Sequence, residues 1–400
     1  MEEDVSKAVP IGAGVVCALV GFTSSFAVVL AGLRAAGANP AQAASGLVAV
    51  SLAMGAASML LSWKFRMPIT SAWSTPGAAL LITTGAVAGG WPAAVGAFAV
   101  TAVLLLATGL WPTPARLVTR IPSPVAQAML AGVLLPLCVA PVTALAHDPT
   151  AIAPVLVVWL IVLALRARWA VPAAFGAAMV VIAVTLVRDH SVPGAASWIP
   201  HLQVTAPNLT LQALTGVALP LYVVTMAAQN IPGVAVMAGF GYHVPWRPAL
   251  TVTGFGSLLA TPFGGHAVNL AAISAALAAA PDADPNPRRR WIAGVATGAA
   301  YVALGLLSTG LTAAVLAAPV GVVQAVAGVA LLSAFAGACA GAMADEPARI
   351  PAAMTLVVAA SGTTVAGIGA AFWALVVGVI AHRLLRPAPQ PVPEPSAPRR

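Results

Sequence analysis

The sequence predicts an all-α integral membrane protein of about fourteen transmembrane segments. It arranges them as a seven-plus-seven inverted repeat, with half-helices and short strands in segments three and ten. Three observations carry this reading. First, 60% of the 400 residues are hydrophobic and only 7% are charged. A soluble chain carries about 25% charge, so this one has too little to cover a water-facing surface. Second, basic residues fall almost wholly on one side of the apolar runs. Third, two pairs of similar segments recur at a separation of seven runs.

The apolar runs read as spans at about 10–33, 41–62, 68–87, 91–110, 123–143, 151–165 and 169–187. Seven more follow at about 211–237, 248–260, 262–280, 291–316, 319–343, 349–365 and 367–384. The tail, 387–400, is proline-rich with no apolar face to pack, and reads as disordered. Fourteen spans put both termini on one side. With that side cytoplasmic, the inner segments hold 16 basic residues, from Lys7 to Arg400, and the outer segments hold only Arg34 and Arg188. One missed or invented span would reverse the parity of everything after it, so the asymmetry supports both count and orientation. Sixteen arginines against two lysines, with abundant alanine, point to GC-rich bacterial coding. The expected location is therefore a bacterial cytoplasmic membrane, with both termini inside.

Other classes are excluded. The net charge of +8 is scattered in short clusters and forms no stripe for nucleic acid. Cys17, Cys138 and Cys339 lie far apart in apolar sequence without a CxxC, so neither a disulfide framework nor a metal site is expected, and no cofactor. With an acidic start, Met1-Glu2-Glu3-Asp4, and a first apolar run too long for a signal core, no cleavable signal is expected.

The repeat rests on two pairs. Pro124 to Val133, at the start of span five, resembles Gly321 to Val329 at the start of span twelve. Met67 to Ala79, at span three, parallels Thr261 to Ala272 at span ten. An odd offset turns the second half upside down relative to the first, the architecture of many secondary transporters.

Span three opens Pro68-Ile69-Thr70-Ser71-Ala72-Trp73-Ser74-Thr75-Pro76. Between the prolines the residues are β-branched, polar and aromatic, and read as extended. Thr75 before Pro76 reads as a hydroxyl cap followed by proline at the first helical position, with a half-helix to about Val87. Span ten repeats the design: Pro262-Phe263-Gly264-Gly265-His266-Ala267-Val268 is poor helix, and a half-helix should run from about Asn269 to Ala280. The two extended pieces can pair with each other. The two half-helix starts should then approach at mid-membrane and, with free N–H groups and partial positive charge, form an anion site.

No Asp or Glu lies in the middle of any span, so the site favours a ligand that brings its own negative charge. His266 is the one histidine inside a span. It is a substrate donor or part of proton coupling, or else a neutral histidine satisfied by backbone. Span eight carries Gln229-Asn230-Ile231-Pro232-Gly233, two amides beside a helix breaker, which donate to a bound carboxylate or bond between helices. Trp73, Tyr222 and Phe263 are aromatic candidates for a ring-sized pocket, or packing residues.

The segments Pro68 to Leu80 and Gln229-Asn230-Ile231-Pro232-Gly233 resemble the hallmark segments of the benzoate:proton symporter family, BenE, over about Pro10 to Arg386. The resemblance implies an inner-membrane importer of benzoate or a related aromatic acid, driven by protons. That family is similar in turn to the nucleobase:cation symporters, exemplified by uracil permease. This similarity implies a core domain of 1–120 and 201–317 and a gate domain of 121–200 and 318–386. The nucleobase carriers have functional glutamates in spans eight and ten, where this chain has Gln229 and Val268. A glutamate would repel a carboxylate, whereas an amide can donate to it.

The expected function is symport of an aromatic carboxylate with protons by alternating access. The carboxylate is expected among Ser74, Thr75, Gly264, Gly265, His266 and Asn269, with Gln229 and Asn230 donating and Trp73, Tyr222 or Phe263 packing the ring. His266 is the candidate for proton coupling. Partners are the substrate, protons and the bilayer, with a homodimer admissible. A nucleobase or inorganic-anion carrier on the same fold is the alternative. An anion channel or a membrane enzyme is disfavoured, because no nucleophile–base pair or metal cluster is visible.

Overall fold

A computed structural model describes residues 2–111, 121–189, 194, 198–365 and 368–385, without the side chains of 2–7 and 273. The expected tail, 387–400, lies outside the described residues. The chain is mostly helical. Its elements in order are α1 (Glu2–Thr23), α2 (Phe26–Ala35), α3 (Pro40–Phe65), β1 (Ser71–Trp73), α4 (Thr75–Thr84), α5 (Gly90–Leu110), α6 (Ser123–His147), α7 (Pro149–Arg166) and α8 (Ala170–Arg188). Then come α9 (Leu211–Gly239), α10 (Trp246–Ala260), β2 (Val268–Leu270), α11 (Ile273–Ala279), α12 (Trp291–Leu316), α13 (Val322–Met343), α14 (Arg349–Ala360) and α15 (Ala370–Leu384). Among the described residues, eight helical stretches are long and apolar enough to cross a bilayer. α10, α14 and α15 are shorter, at 15, 12 and 15 residues.

Local chemistry sets the ends. Asn39 and Gln42 form a reciprocal capping box at the start of α3, with Pro40 in the first turn. α3 stops at Arg66, which turns left-handed (φ 54°) and lays its guanidinium 4.2 Å from the Trp291 ring centre at the start of α12. Further along, α3 and α12 cross closely. A Cβ on Gly55 would sit 2.7 Å from the Gly298 carbonyl oxygen, and one on Gly298 would sit 2.5 Å from that of Gly55. Small residues make this approach possible.

α3, α5, α10, α12 and α1 pack into one bundle. α6, α13, α14, α15, α7 and α8 pack mainly with each other in a second. Phe22, Phe26, Leu30, Leu47, Trp73 and Phe98 are fully buried, whereas Val157, Leu160, Ile161, Val180 and Val184 on α7 and α8 are exposed, as on a lipid-facing surface.

Three local expectations shift. The first half-helix ends at Thr84, not Val87, and its cap is Ser74, with Thr75 and Pro76 the first two helical residues. The second begins at Ile273, four residues later than read, because 268–270 is strand and Asn269 belongs to it. Extended backbone wins there because every edge of it finds a partner, as described below. Pro232 does not break α9. The preceding turn, Met226–Asn230, widens to a π-helix, which absorbs the hydrogen bond that a proline cannot make.

A candidate binding cavity at the two broken spans

β1 and β2 pair antiparallel, with Ser71 opposite Leu270, Ala72 opposite Asn269 and Trp73 opposite Val268. Backbone bonds extend the ladder at both ends, from Ser74 N to Ala267 O (3.0 Å) and from Ala271 N to Thr70 O (2.9 Å). A two-stranded ribbon still has two open edges, which hydrocarbon does not tolerate. Side chains close them. Ser58 Oγ accepts from Ser71 N (2.8 Å), Ser62 Oγ donates to Ile69 O (2.9 Å), Ser257 Oγ accepts from Val268 N (2.8 Å) and Asn230 Oδ1 accepts from Leu270 N (2.9 Å). Helices α3, α9 and α10 thus supply the partners that a third and a fourth strand would have supplied.

The ribbon delivers the chain into α4. Ser74 Oγ accepts from Gly77 N (3.2 Å) and lies 2.8 Å from Thr225 Oγ1. His266 Nε2 lies 3.1 Å from Ser74 O, and the ring N–H donates to that carbonyl. Trp73 donates its indole N–H to Ser25 Oγ (2.7 Å), and its ring centre is 5.0 Å from that of Phe22. With Gly77 capped and proline at 76, Thr75 carries the first-turn amide with no intrahelical partner.

In front of this helix start is a cavity of about 210 Å³. It is below the roughly 300–1,000 Å³ of drug-sized sites, which suits a small molecule. One wall comes from the first bundle: Ser24, Trp73, Thr75, Gln229, Ser274 and Tyr301. The other comes from α8, α13 and the turn before α8: Pro172, Ser333 and Arg168. Among the described residues no Asp or Glu lines it, and Arg168 is the one charged lining residue. Among the described residues Arg168 has no ion-pair or hydrogen-bond partner. The Tyr301 hydroxyl is buried without a hydrogen-bond partner. An unmet buried hydroxyl costs about 1–3 kcal/mol unless a ligand or water meets it. The cavity thus sets a few donors in a mostly apolar lining and lacks fixed negative charge.

The residues expected at the site divide into three groups. Trp73, Thr75 and Gln229 line the cavity. Ser74, Asn230, His266 and Asn269 are fully buried one layer behind it and build the ribbon and the helix start. Asn269 donates to Leu270 O (2.8 Å); its Oδ1 and the Nδ1 of His266 are buried without partners. The third group lies elsewhere. Tyr222 pairs its hydroxyl with Thr108 Oγ1 (2.6 Å), and Phe263 lines a separate apolar groove. Gly264 turns the chain left-handed (φ 89°) after a 3-10 turn at Thr261–Phe263, and Gly265 N closes that turn onto Ala260 O (3.0 Å). Arg168, Ser274, Tyr301 and Ser333 are lining residues that sequence reasoning missed. Arg168 reads as one of many loop arginines, and nothing local says that its turn reaches the cavity.

Comparison with known proteins places this geometry. Residues 4–384 match the model of a family described as benzoate membrane transport protein, BenE. The inner membrane protein YdcO of Escherichia coli K12 is 37% identical over 374 residues, covering 93% of this chain and 95% of that one. A benzoate membrane transport protein of Acinetobacter baylyi is 28% identical over 384 residues, covering 93% and 94%. Among solved structures, the transmembrane domain of a cyanobacterium bicarbonate transporter, BicA, superposes with a TM-score of 0.60 at 15% identity, covering 94% of this chain and 96% of that one. At that identity the likeness is one of fold alone.

Proposed function

The chain belongs to the benzoate membrane transport protein family, membrane transporters and not enzymes, and from that premise we propose that it imports benzoate or a similar aromatic carboxylate with protons by alternating access. The observation that carries the substrate class is the cavity's chemistry: donors on both walls, one unpaired arginine, and no carboxylate. A carboxylate leaving water needs charge-assisted partners. The Thr75 amide at the positive end of α4, the Gln229 amide, the Tyr301 hydroxyl and the Arg168 guanidinium are such partners. Trp73, Pro76 and Pro172 offer apolar surface to a ring.

In this reading 1–120 and 201–317 form a core domain and 121–200 and 318–386 a gate domain, from fourteen segments in a seven-plus-seven inverted repeat with both termini cytoplasmic. Packing supports the repeat. The contact of α3 with α12 recurs seven segments on as α10 with α5; that of α1 with α11 recurs as α9 with α4; that of α7 with α8 recurs as α14 with α15. The substrate sits between core and gate, so sliding one past the other exposes it alternately to the two sides. His266 is the proposed coupling group. It holds the Ser74 carbonyl, so a proton on its free Nδ1 adds positive potential beside the helix start that receives the carboxylate.

The test is uptake of radiolabelled benzoate into proteoliposomes. An inward proton gradient should drive accumulation, and excess uracil, sulfate or bicarbonate should not compete. The fold likeness to a bicarbonate transporter favours an inorganic-anion carrier as the second reading. No uptake of benzoate, with uptake of radiolabelled bicarbonate that excess benzoate leaves unchanged, would establish that reading instead.

A further inference from the structure

Away from the transport cavity, two recesses lie end to end along the crevice between α3 and α10. One, of about 360 Å³, is lined by Lys64, Arg247, Thr251, Gly109 and Leu110. The other, of about 430 Å³, is lined almost wholly by apolar residues, among them Leu52, Ala56, Phe255, Leu259 and Phe263. Leu60 and Val252 belong to both, so the recesses are continuous. Among the described residues neither has an acidic residue in its lining.

Two features place the basic end at the membrane surface. Trp63 is 60% exposed and Trp111 is 59% exposed, and each is the chain neighbour of a residue lining that recess. Exposed tryptophans of this kind mark the headgroup level. From Leu60 the apolar groove follows α3 back to Ala49, a rise of about 16 Å at about 1.5 Å per residue. That is close to one leaflet of hydrocarbon, about half of a 30 Å core. The groove is therefore cationic at the headgroup level, apolar to mid-bilayer, and open on its outer side at Leu60, Phe255 and Leu259.

We propose that this crevice is a binding site for one anionic phospholipid, its phosphate between Lys64 and Arg247 and an acyl chain along Leu52, Ala56, Phe255 and Leu259. The charge decides the occupant: a zwitterionic lipid brings a phosphate but also a fixed cation that Lys64 and Arg247 repel, and a second copy's apolar helix would leave both cations unanswered. Arg247 is half engaged already, donating to the carbonyls of Gly109 (3.3 Å) and Leu110 (2.6 Å) at the end of α5. Lys64 has no acceptor among the described residues, and its Nζ stands 5.9 Å over the ring of Phe65. Lys64 is therefore the discriminating charge. The groove ends at Phe263, five residues before β2, so an acyl chain there touches the turn that leads into the ribbon. This site is independent of what the protein transports.

The test is native mass spectrometry of the full chain in detergent, with phosphatidylglycerol, phosphatidylcholine of the same acyl chains, and glycerol phosphate without chains. Wild type should retain phosphatidylglycerol at least about fivefold better than phosphatidylcholine and should not retain glycerol phosphate. Lys64→Glu, an exposed position, should bring the two lipids to parity. Ala56→Phe, which fills the groove from its exposed side, should weaken both. Equal retention of both lipids by wild type, a preference unchanged in Lys64→Glu, or glycerol phosphate bound as well as the lipid would each overturn the proposal. So would a dimer that forms as lipid leaves.

Discussion

The two broken spans do the same architectural job with different chemistry. The first, 68–84, ends in a ten-residue helix whose start is capped by Ser74 and tied to Thr225 and His266. The second, 261–279, ends in a seven-residue helix with no side-chain cap, entered through a left-handed glycine. The ribbon between them is symmetric in pairing and in its edge partners, yet only the first of the two helix starts has a side-chain cap. A capped helix start holds its amides in a fixed direction, whereas an uncapped two-turn helix frays. Both breaks line the cavity, the first at Trp73, Thr75 and Pro76 from a capped helix start and the second at Ala271, Ala272 and Ser274 from an uncapped one.

The largest effect should come from Ser74→Ala. It removes the cap and strands the Thr225 hydroxyl in a buried site, which together cost about 2–4 kcal/mol. Uptake should fall more than about tenfold and the unfolding temperature should drop. The matched change at the second break, Ala272→Ser, adds a hydroxyl at an uncapped start and should alter stability by no more than about 1 kcal/mol. Equal losses from both changes would dissolve the asymmetry.

Arg168→Gln comes next. A charge-assisted bond is worth about 1.5–3 kcal/mol, so KM for benzoate should rise about tenfold or more with the unfolding temperature unchanged. Unchanged KM would remove the gate wall from the site. Tyr301→Phe should raise KM about fivefold, in keeping with one neutral hydrogen bond of about 1 kcal/mol. At the second break, Gly264→Ala should leave KM alone and act on stability, because a Cβ would meet the Trp91 ring at 2.7 Å in a left-handed backbone. His266→Gln should uncouple uptake from the proton gradient with little change in KM. Gradient-driven accumulation at the wild-type level in that variant would leave His266 a purely structural residue.

Much of this was legible in sequence because helix breaking is local. Pro68, Pro76, Gly264 and Gly265 announce both breaks, and the absence of acidic residues from the middle of the spans announces a cavity lining without Asp or Glu. The family, too, was legible from 68–80 and 229–233. What lay hidden depends on tertiary partners. Asn269 reads as a helix start, yet it is strand, because Ser257, Asn230 and β1 supply bonds to the extended backbone around it from more than ten residues away. Pro232 reads as a break, but a π turn accommodates it. Arg168 looks like one more basic loop residue until the turn at Ala167–Trp169 brings it to the cavity that Trp73 and Thr75 also line.

The most direct measurement is a structure of the protein bound to 4-bromobenzoate, with the bromine located by anomalous scattering. The carboxylate should lie within hydrogen-bonding distance of the Thr75 amide and Gln229, with the bromine against Trp73 or Pro172. Bromine found outside this cavity, in the α3–α10 crevice for instance, with the cavity holding water alone, would contradict it.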